Sequence, residues 1–167
     1  MNYLTVPLST RHKRADFTSG IELLDRYFTH QANQDVRRKL SACFVYTRED
    51  HETVIGYYTL SGSSIPQDSI PPAFARRLPP SYTSIPMILL GRMAIDKIYQ
   101  GQGVGSLLLI DALRRCHDTS ASLGAYAVIV DPLDGNAVEF YRKFGFVELP
   151  DSKKMFLPMQ TIGELFK

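Results

Sequence analysis

The sequence has little cysteine and no tryptophan: its 167 residues include two cysteines, Cys43 and Cys116, which lie far apart. Two unaccompanied thiols exclude the disulfide framework of a small secreted domain and indicate a reduced, cytoplasmic protein. Long apolar runs are also missing, and none approaches the ~20 residues that cross a bilayer. The segment from Met1 to Arg14 lacks the apolar core of a signal peptide. These absences predict a chain that makes no membrane contact.

The composition excludes intrinsic disorder, since 44% of the residues are hydrophobic and 22% are charged. A chain of this length can bury roughly 70% of the surface that its unfolded form exposes, so it needs neither disulfides nor a metal to be stable. No repeat, linker or low-complexity tract interrupts residues 1–167. We therefore expect a single domain.

The charge is small overall but uneven along the chain, with a net value of +2. Residues 76–115 carry six Lys/Arg against two Asp/Glu, 6 − 2 = +4, and residues 116–151 carry two against six, 2 − 6 = −4. This distribution fits a basic face for an anionic partner, and it equally fits ordinary solvated helix faces.

Hydrophobic periodicity predicts a mixed α and β chain in which helices connect strands of one sheet. Ser19 followed by Glu22 has the form of a capping box and predicts a helix from about Gly20. The segment Ser61–Pro66 breaks the apolar pattern and is expected to end the strand Val54–Leu60 that precedes it. The predicted strands are Tyr3–Val6, Ala42–Tyr46, Val54–Leu60, Ile85–Ile95, Ala125–Val130, Phe146–Leu149 and Lys154–Leu157, and further predicted helices cover Pro71–Arg77, Leu107–Arg114 and Asn136–Phe144.

The most informative segment is the glycine-rich turn Gln100-Gly-Gln-Gly-Val-Gly-Ser106, which connects a long strand to a helix. Glycines let backbone N–H groups approach a ligand, and a helix start adds unpaired N–H groups, so such a turn can hold a pyrophosphate. Its spacing is not the G-x-G-x-x-G of dinucleotide-binding proteins, and the Gly-Lys-Ser/Thr of a nucleoside-triphosphate loop is missing. Gln100, Gly103 and Gly105 instead match the Gln/Arg-x-x-Gly-x-Gly/Ala signature of acyl-CoA-binding N-acetyltransferases.

The chain thus resembles the GNAT N-acetyltransferases, and a second segment, Asn136 to Phe146, is similar to another cofactor motif of that family. The resemblance implies an α/β (α+β) GNAT fold: a single mixed, mostly antiparallel sheet, flanked by helices, with a V-shaped splay between two parallel strands. By position, the splayed strands are Leu89–Ile95 and Ala127–Val130. The resemblance also implies acetyl-CoA as the co-substrate and no metal.

A narrower resemblance covers nearly the whole chain and is to the acetyltransferase toxins of type II toxin–antitoxin modules. It implies acetylation of the α-amino group of aminoacyl-tRNA, a ribbon-helix-helix antitoxin through which alone DNA is bound, co-repression of the operon, and a homodimer. Relatives often have Asp-Cys where this chain has Thr18-Ser19, a departure that we expect to lie away from the cofactor motifs. The resemblance rests on Phe17-Thr-Ser-Gly20, Leu24-Asp25, Gly56-Tyr-Tyr-Thr-Leu-Ser61, Leu89 to Asp96, Tyr99-Gln-Gly101 and Phe156-Leu-Pro158.

The family resemblance implies roles for individual residues. Tyr141 is expected to protonate the departing thiolate, which a phenol with a pKa of ~10 can do; packing in the core beside Phe140 and Phe144 is its alternative role. A backbone N–H of Met93 or Ile95 is expected to bind the acetyl carbonyl, and Asn136, if it is not simply a helix-start residue, the pantetheine arm. The other expected cofactor-binding residues are Gln100, Gly101, Gln102, Gly103, Val104, Gly105 and Ser106.

No general base is evident, because Leu89–Ile95 carries only Arg92 as a charged residue. An α-amino group has a pKa of ~7.7–8.0, lower beside an ester, so the amine of an aminoacyl ester is already largely neutral near pH 7. The missing base therefore favours charged tRNA over a lysine or a polyamine. Candidate contacts to tRNA phosphates are Arg37, Arg38, Arg76, Arg77 and Arg92, each of which also fits a solvated or ion-paired role.

Two other functions stay open at this point. One is a GNAT enzyme acting on a protein N-terminus or a small amine, and the other is a catalytically idle acyl-CoA-binding partner of a DNA-binding repressor. The histidines show no metal-ligand spacing and are expected to be ordinary surface or helix residues: His12, His30, His51 and His117.

Overall fold

The computed structural model describes residues 2–167. Its strands are β1 (Val6–Pro7), β2 (Ala42–Thr47), β3 (Val54–Pro66), β4 (Ser84–Ile95), β5 (Ala127–Val130), β6 (Val147–Glu148) and β7 (Met155–Pro158). Its α-helices are α1 (Glu22–His30), α2 (Ala32–Arg37), α3 (Pro72–Ala75), α4 (Val104–Thr119), α5 (Gly135–Lys143) and α6 (Met159–Leu165), with short 3₁₀ helices at Gln67–Ser69 and Lys97–Tyr99. Between residues 2 and 167, no helix is both long and apolar enough to cross a membrane.

The strands form one mostly antiparallel sheet in the order β1-β2-β3-β4-β5-β7-β6, in which β4 and β5 run parallel. Two parallel neighbours need a long crossover between them, and here the connection includes α4. The mixed α/β fold class is therefore confirmed. The V-shaped splay of Leu89–Ile95 from Ala127–Val130 stays a prediction.

The chain divides into two compact units, and the first comprises residues up to Ser61 together with Leu90–Arg115. Its core contains a ring cluster in which Phe28 lies 4.4 Å from Tyr57 and 5.1 Å from Phe17, measured between ring centroids. The buried Tyr57 hydroxyl donates to the backbone oxygen of Leu24 at 2.7 Å, so that α1 is tied to β3. The buried residues of α1 share one face because their spacing follows the helical period.

In the same unit, Asp111 on α4 holds the segment before β1. One carboxylate oxygen accepts the backbone N–H of Leu4 at 2.6 Å, and the other accepts the hydroxyls of Thr5 at 2.5 Å and Tyr58 at 2.7 Å. Arg115, one helical turn later, lies 3.8 Å from the carboxylate and donates to the Thr5 carbonyl at 2.7 Å. The start of the described chain is thus anchored on α4.

The second unit comprises Gly62–Leu89 and Cys116–Lys167. Strands β5 and β7 pair antiparallel within it, and every residue of both strands is buried. A strand that is buried on both faces has a continuous apolar sequence without alternation. Periodicity alone therefore does not indicate which side chains of β5 lie on which face of the sheet. The N–H of Tyr126 donates to the carbonyl of Pro86 at 2.9 Å and brings β5 beside β4.

The structure confirms the predicted strands around Ala42, Val54, Ile85 and Ala127 and the helix after the glycine-rich turn, with shifted ends. It corrects the expected break at Ser61–Pro66, because β3 continues to Pro66. Ile65 explains the continuation, since its side chain is buried in the core of the second unit.

The predicted capping box at Ser19 and Glu22 is wrong. Helix α1 begins at Glu22 with Ile21 at its N-cap, and no side chain caps it. The N–H and the hydroxyl of Ser19 instead donate to Asp25 at 2.9 and 2.7 Å. Two other elements also differ from expectation: β1 begins at Val6 rather than Tyr3, and α6 was not predicted.

Candidate active site

Strand β4 leads into a loop whose backbone leaves open space on one side. Asp96 caps the 3₁₀ helix Lys97–Tyr99 by accepting the N–H of Ile98 at 3.1 Å. Gly101 and Gly103 follow with φ angles of +78° and +80°, in the region that favours glycine. A Cβ built on either glycine meets no atom within 4 Å, so this side of the loop is open.

Helix α4 begins directly after this loop, at Val104. The first N–H groups of an α-helix have no intrahelical acceptor, and here these include the N–H groups of Val104, Gly105 and Ser106. Together with the positive end of the helix dipole they can bind an anion. The open glycine loop and the helix start therefore form a backbone cradle, Gly101–Ser106, whose N–H donors suit an anion such as a pyrophosphate.

The side chain of Gln100 is directed at the protein's own backbone. Its amide nitrogen donates to the carbonyls of Ser19 and Ile95, at 2.8 Å each. A carboxamide has two N–H donors, and both are used here. Gln102 in the same loop donates to the carbonyl of Ile98 at 3.0 Å. These bonds hold the loop in shape from within the first unit.

Thr18 and Ser19, where this chain differs from the Asp-Cys of relatives, were expected to lie away from the cofactor motifs. The structure shows the opposite: both contact the loop that precedes the cradle. The N–H of Thr18 donates to Asp96 at 3.1 Å, and the N–H of Lys97 donates to the Thr18 carbonyl at 2.9 Å. Ser19 is buried and accepts from Gln100. The expectation failed because local sequence gives no sign of a contact between residues about 80 positions apart.

Arg92 on β4 lies over an aromatic ring of α1. Its guanidinium carbon is 3.6 Å from the ring centroid of Tyr27, a cation–π geometry. The Tyr27 hydroxyl donates to Asp35 at 2.8 Å, and burial, followed by this bond, raises the pKa of Tyr27 to about 12. Within residues 2–167 the guanidinium makes no ion pair or hydrogen bond, so it can accept an anionic ligand. Met93 and Ile95, which follow on β4, are half-buried.

Tyr141 on α5 is buried and packed by aromatic side chains in the second unit. Its ring centroid lies 5.4 Å from that of Phe140 and 5.2 Å from that of Phe146. Burial raises the pKa of Tyr141 to about 12. Its hydroxyl has no hydrogen-bond partner in the described part of the chain, which leaves the O–H free to act on a ligand.

Asn136 lies at the start of α5 but does not cap it. Asp134 is the N-cap and accepts the N–H of Ala137 at 2.9 Å. The Asn136 side chain is exposed and makes no hydrogen bond in the range 2–167. Its amide is therefore available to a ligand, and Asp134, not Asn136, is the residue that caps the helix start.

The remaining basic candidates are exposed and lie in different parts of the chain. Arg37 and Arg38 are at the end of α2 in the first unit. Arg76 and Arg77 follow α3 in the second unit, where Arg76 donates to the Pro72 carbonyl at 3.3 Å. Of the basic candidates, the structure distinguishes Arg92 by its ring contact.

The cysteines and one histidine are buried. Burial raises the pKa of the thiols of Cys43 and Cys116 to about 12, so both are protonated and unreactive near neutral pH. His12 is not a surface residue as expected: its ring is buried, and its Nδ1 accepts the N–H of Ser9 at 3.0 Å. Among residues 2–167, no group of three or more His, Cys, Asp or Glu could hold a metal ion.

A model of the acetyltransferase (GNAT) domain matches residues 39–148, which is more than half of the chain and includes β4, the cradle and the whole of α5 with Tyr141. The chain belongs to the GNAT acetyltransferase family. The match starts after α1 and α2, so Tyr27 and Ser19 lie outside it, and the contacts of these two residues come from the structure alone.

Two relatives of this GNAT chain carry descriptions of function. A probable toxin TacT of Sinorhizobium fredii is 34% identical over 163 residues, which cover 93% of this chain and 90% of that protein. A tRNA-acetylating toxin of Mycobacterium tuberculosis is 37% identical over 130 residues, covering 78% of this chain and 75% of that protein.

Solved structures resemble the GNAT chain over nearly its full length. AtaT complexed with acetyl-methionyl-tRNAfMet has a TM-score of 0.90 at 28% identity and covers 99% of this chain and 100% of AtaT. AtaTR bound with AcCoA has a TM-score of 0.86 at 30% identity, covering 98% and 97%. The AtaT-AtaR complex bound to DNA has a TM-score of 0.78 at 28% identity, covering 98% and 99%.

Proposed function

We propose that this GNAT chain is the toxin of a type II toxin–antitoxin pair, and that it transfers acetyl from acetyl-CoA to the α-amino group of aminoacyl-tRNA. The observation that carries the chemistry is the open backbone cradle at the start of α4. The substrate is supported by the likeness to a tRNA-acetylating toxin and to AtaT complexed with acetyl-methionyl-tRNAfMet. Acetylation of that amine blocks its use in peptide-bond formation, so translation stops.

Acetyl-CoA, when bound, supplies the acetyl thioester. The N–H groups from Gly101 to Ser106 would bind its pyrophosphate, because they are unpaired and positively polarised. The free amide of Asn136 would bind the pantetheine arm. A backbone N–H of Met93 or Ile95 would bind the acetyl oxygen and stabilise the negative charge that develops there.

Tyr141 would donate the proton that the sulfur takes up as the thioester bond breaks, and the proton that the attacking amine loses on becoming an amide would return through water to the Tyr141 oxygen. The raised pKa keeps its hydroxyl protonated at physiological pH. Within residues 2–167 the hydroxyl donates to no hydrogen-bond acceptor, so its proton is available to the sulfur. The buried surroundings strengthen a hydrogen bond from the hydroxyl to a developing thiolate. The ring is held by Phe140 and Phe146, so the hydroxyl keeps its direction.

The attacking amine would need no protein base. The charged residue of Leu89–Ile95 is Arg92, and a positive group nearby favours the neutral form of an amine. Since an α-amino group has a pKa of only ~7.7–8.0, a large neutral fraction exists near pH 7. This chemistry suits an aminoacyl ester better than a lysine side chain, with its pKa of ~10.4.

Phosphates of the tRNA would be bound by Arg92 and by the exposed residues Arg37, Arg38, Arg76 and Arg77. Arg92 is the strongest candidate because the Tyr27 ring orients its guanidinium and no carboxylate neutralises it. An arginine presented in this way matches a phosphate through two parallel hydrogen bonds.

The partners follow from the same assignment. We infer a cytoplasmic homodimer that is neutralised by a ribbon-helix-helix antitoxin and that reaches DNA only through this antitoxin. The AtaT-AtaR complex bound to DNA supports this part of the proposal. A short neighbouring reading frame that encodes a ribbon-helix-helix protein would support it further.

Transfer of labelled acetyl from acetyl-CoA to a panel of charged tRNAs tests the proposal. We expect label on the aminoacyl group of at least one charged tRNA and none on the same tRNA without its amino acid. Label on a protein N-terminus or a small amine, with none on tRNA, would show that the substrate is wrong. Binding of acetyl-CoA without any transfer would favour a catalytically idle partner of a repressor.

A further inference from the structure

The segment Thr18–Gly20 lies just before α1 and is bonded on both sides. Toward α1, the N–H and hydroxyl of Ser19 donate to Asp25 at 2.9 and 2.7 Å. Toward the cradle, the N–H of Thr18 donates to Asp96 at 3.1 Å, and the N–H of Lys97 donates to the Thr18 carbonyl at 2.9 Å. The segment therefore joins α1 to the loop that precedes the cradle.

Gln100 makes the third bond on the cradle side and is the residue from which the glycine loop departs. Its two amide hydrogens are used by the carbonyls of Ser19 and Ile95. The group that remains is an oxygen, which accepts hydrogen bonds and repels an anion. Gln100 in this arrangement shapes the cradle and does not bind the phosphates with its side chain.

Gly20 shows how closely the segment approaches the loop. Its φ is +89°, and a Cβ built on it would lie 2.7 Å from Cε of Lys97. The stem of Lys97 thus packs directly on the Gly20 backbone. Hydrogen bonds and packing together hold the 3₁₀ helix Lys97–Tyr99 in place. This helix directly precedes the glycine loop and therefore fixes the position of Gly101 and Gly103.

We propose that Gln100 and the Thr18–Gly20 segment, supported by Asp25, are positioning residues for acetyl-CoA: they hold the glycine loop in the conformation that binds the pyrophosphate. This inference rests on the proposed cofactor site and adds residues from outside the glycine motif. It assigns Asp25 an effect on cofactor affinity although Asp25 is a residue of α1 that contacts no part of the cradle directly.

Calorimetry with acetyl-CoA alone tests the inference, using the full chain of the wild type and the variant Gln100→Leu. Leucine has a similar size but cannot donate, so we expect the Kd for acetyl-CoA to rise about tenfold or more, the effect of two lost hydrogen bonds. Gln100→Arg restores two donors toward the same carbonyls and should return the Kd most of the way to the wild-type value.

Gln67 offers a matched control, because its amide nitrogen also bridges two carbonyls, those of Pro79 and Tyr82, at 2.9 and 2.8 Å. Gln67→Leu removes the same kind of bridge elsewhere and should leave the Kd for acetyl-CoA unchanged. A folded Gln100→Leu protein with the affinity of wild type and of Gln67→Leu would overturn the inference while leaving the proposed enzyme intact.

Asp25→Ala is a second, independent variant. It tests whether the Thr18–Gly20 segment supports acetyl-CoA binding even if Gln100→Leu does not fold. It removes the acceptor of Ser19 and should raise the Kd for acetyl-CoA, with the KM for charged tRNA unchanged at saturating acetyl-CoA. Combining it with Gln100→Leu should add less than the product of the two single effects, because both act through one segment. An unchanged Kd for Asp25→Ala would contradict the inference, and a wild type that binds no acetyl-CoA would contradict the proposed function as well.

Discussion

The guanidinium carbon of Arg92 lies 3.6 Å from the ring centroid of Tyr27, and the hydroxyl of the same ring donates a hydrogen bond to Asp35. Strand β4 therefore presents a cation that is oriented by α1 and neutralised by no carboxylate in the described chain. A charge that is held in place loses less entropy on binding than one on a free side chain.

Arg92→Gln should weaken the binding of charged tRNA and change its salt dependence. Loss of one phosphate contact lowers the slope of log K against log salt by about 0.7–0.9. Titrations of tRNA between low and moderate salt measure the slope, and Arg48→Gln, an exposed arginine of the acidic β2–β3 turn, is the control. An unaltered slope in Arg92→Gln would show that Arg92 contacts no phosphate.

Tyr27→Leu should weaken tRNA binding although Arg92 stays in place, because the ring that orients the guanidinium is lost. We expect a cost of about 0.5–2 kcal/mol, the value of a cation–π contact. Tyr27→Phe keeps the ring and loses only the bond to Asp35, so its tRNA affinity should stay near wild type. Equal affinities for the two variants would mean that the ring does not support Arg92.

Tyr141→Phe should lower turnover about 10²- to 10⁴-fold, the usual contribution of a positioned general acid. Acetyl-CoA affinity should barely change, because the lost interaction belongs mainly to the transition state. Single-turnover acetylation of charged tRNA measures the effect, with a thermal melt to verify folding. A folded variant with near-normal turnover would transfer the acid role to another residue or to water.

The pH profile of the wild type should show no alkaline loss of activity from Tyr141 in the accessible range. Burial raises its pKa to about 12, so the hydroxyl remains protonated at every lower pH. The acidic limb should instead follow the amine of the substrate, which is protonated and unreactive below its own pKa. Rates measured from pH 6 to 10 test this, and an alkaline limb that disappears in Tyr141→Phe would contradict it.

Gly103→Val should abolish binding of acetyl-CoA. The side chain would enter the open space above the cradle, and the φ of +80° strains any residue with a Cβ. Gly124→Val is the matched control, since a Cβ at Gly124 also meets no atom within 4 Å but the φ there lies outside the left-handed region. Unchanged affinity in a folded Gly103→Val protein, measured by calorimetry, would remove the cradle from the site.

His12 should make the fold sensitive to mild acid. Burial, and then the charge of Arg11, lowers the pKa of its ring, whereas the unfolded chain has the ordinary value of ~6.5. The unfolded state therefore binds a proton first, and stability that is present above pH ~6.5 is lost as the pH falls below it.

Urea denaturation at several pH values from 7.5 to 5 measures this loss. His12→Asn keeps an acceptor for Ser9 but does not titrate in this range, so its stability should fall less on acidification than that of the wild type. His51→Asn changes an exposed turn residue and should behave as the wild type does. Parallel losses in all three proteins would exclude a contribution from His12.

The sequence predicts well what depends on neighbouring residues. The glycine spacing from Gln100 to Gly105 and the apolar run before it place a strand, an open turn and a helix where the structure has them. It fails where partners lie far apart along the chain. Tyr27 and Arg92, or Ser19 and Gln100, are brought together only by tertiary folding, and no local period indicates such pairs.

Composition also misleads where burial outweighs propensity. Gly62, Ser63 and Ser64 disfavour a strand, and the segment ending at Pro66 was expected to be irregular. Burial of Ile65 in the second unit outweighs these local preferences and carries β3 onward.

The division of the chain into two units has a consequence for engineering chimeras. Its limits fall inside β3, β4 and α4, after Ser61, Leu89 and Arg115, where the backbone is hydrogen-bonded. Modules that can be exchanged between relatives are usually bounded by exposed linkers. A chimera joined to a relative at these three limits would combine two different sequences within one strand or helix and disturb its hydrogen bonding. Junctions between the two sequences should instead be placed in turns such as Glu49–Glu52.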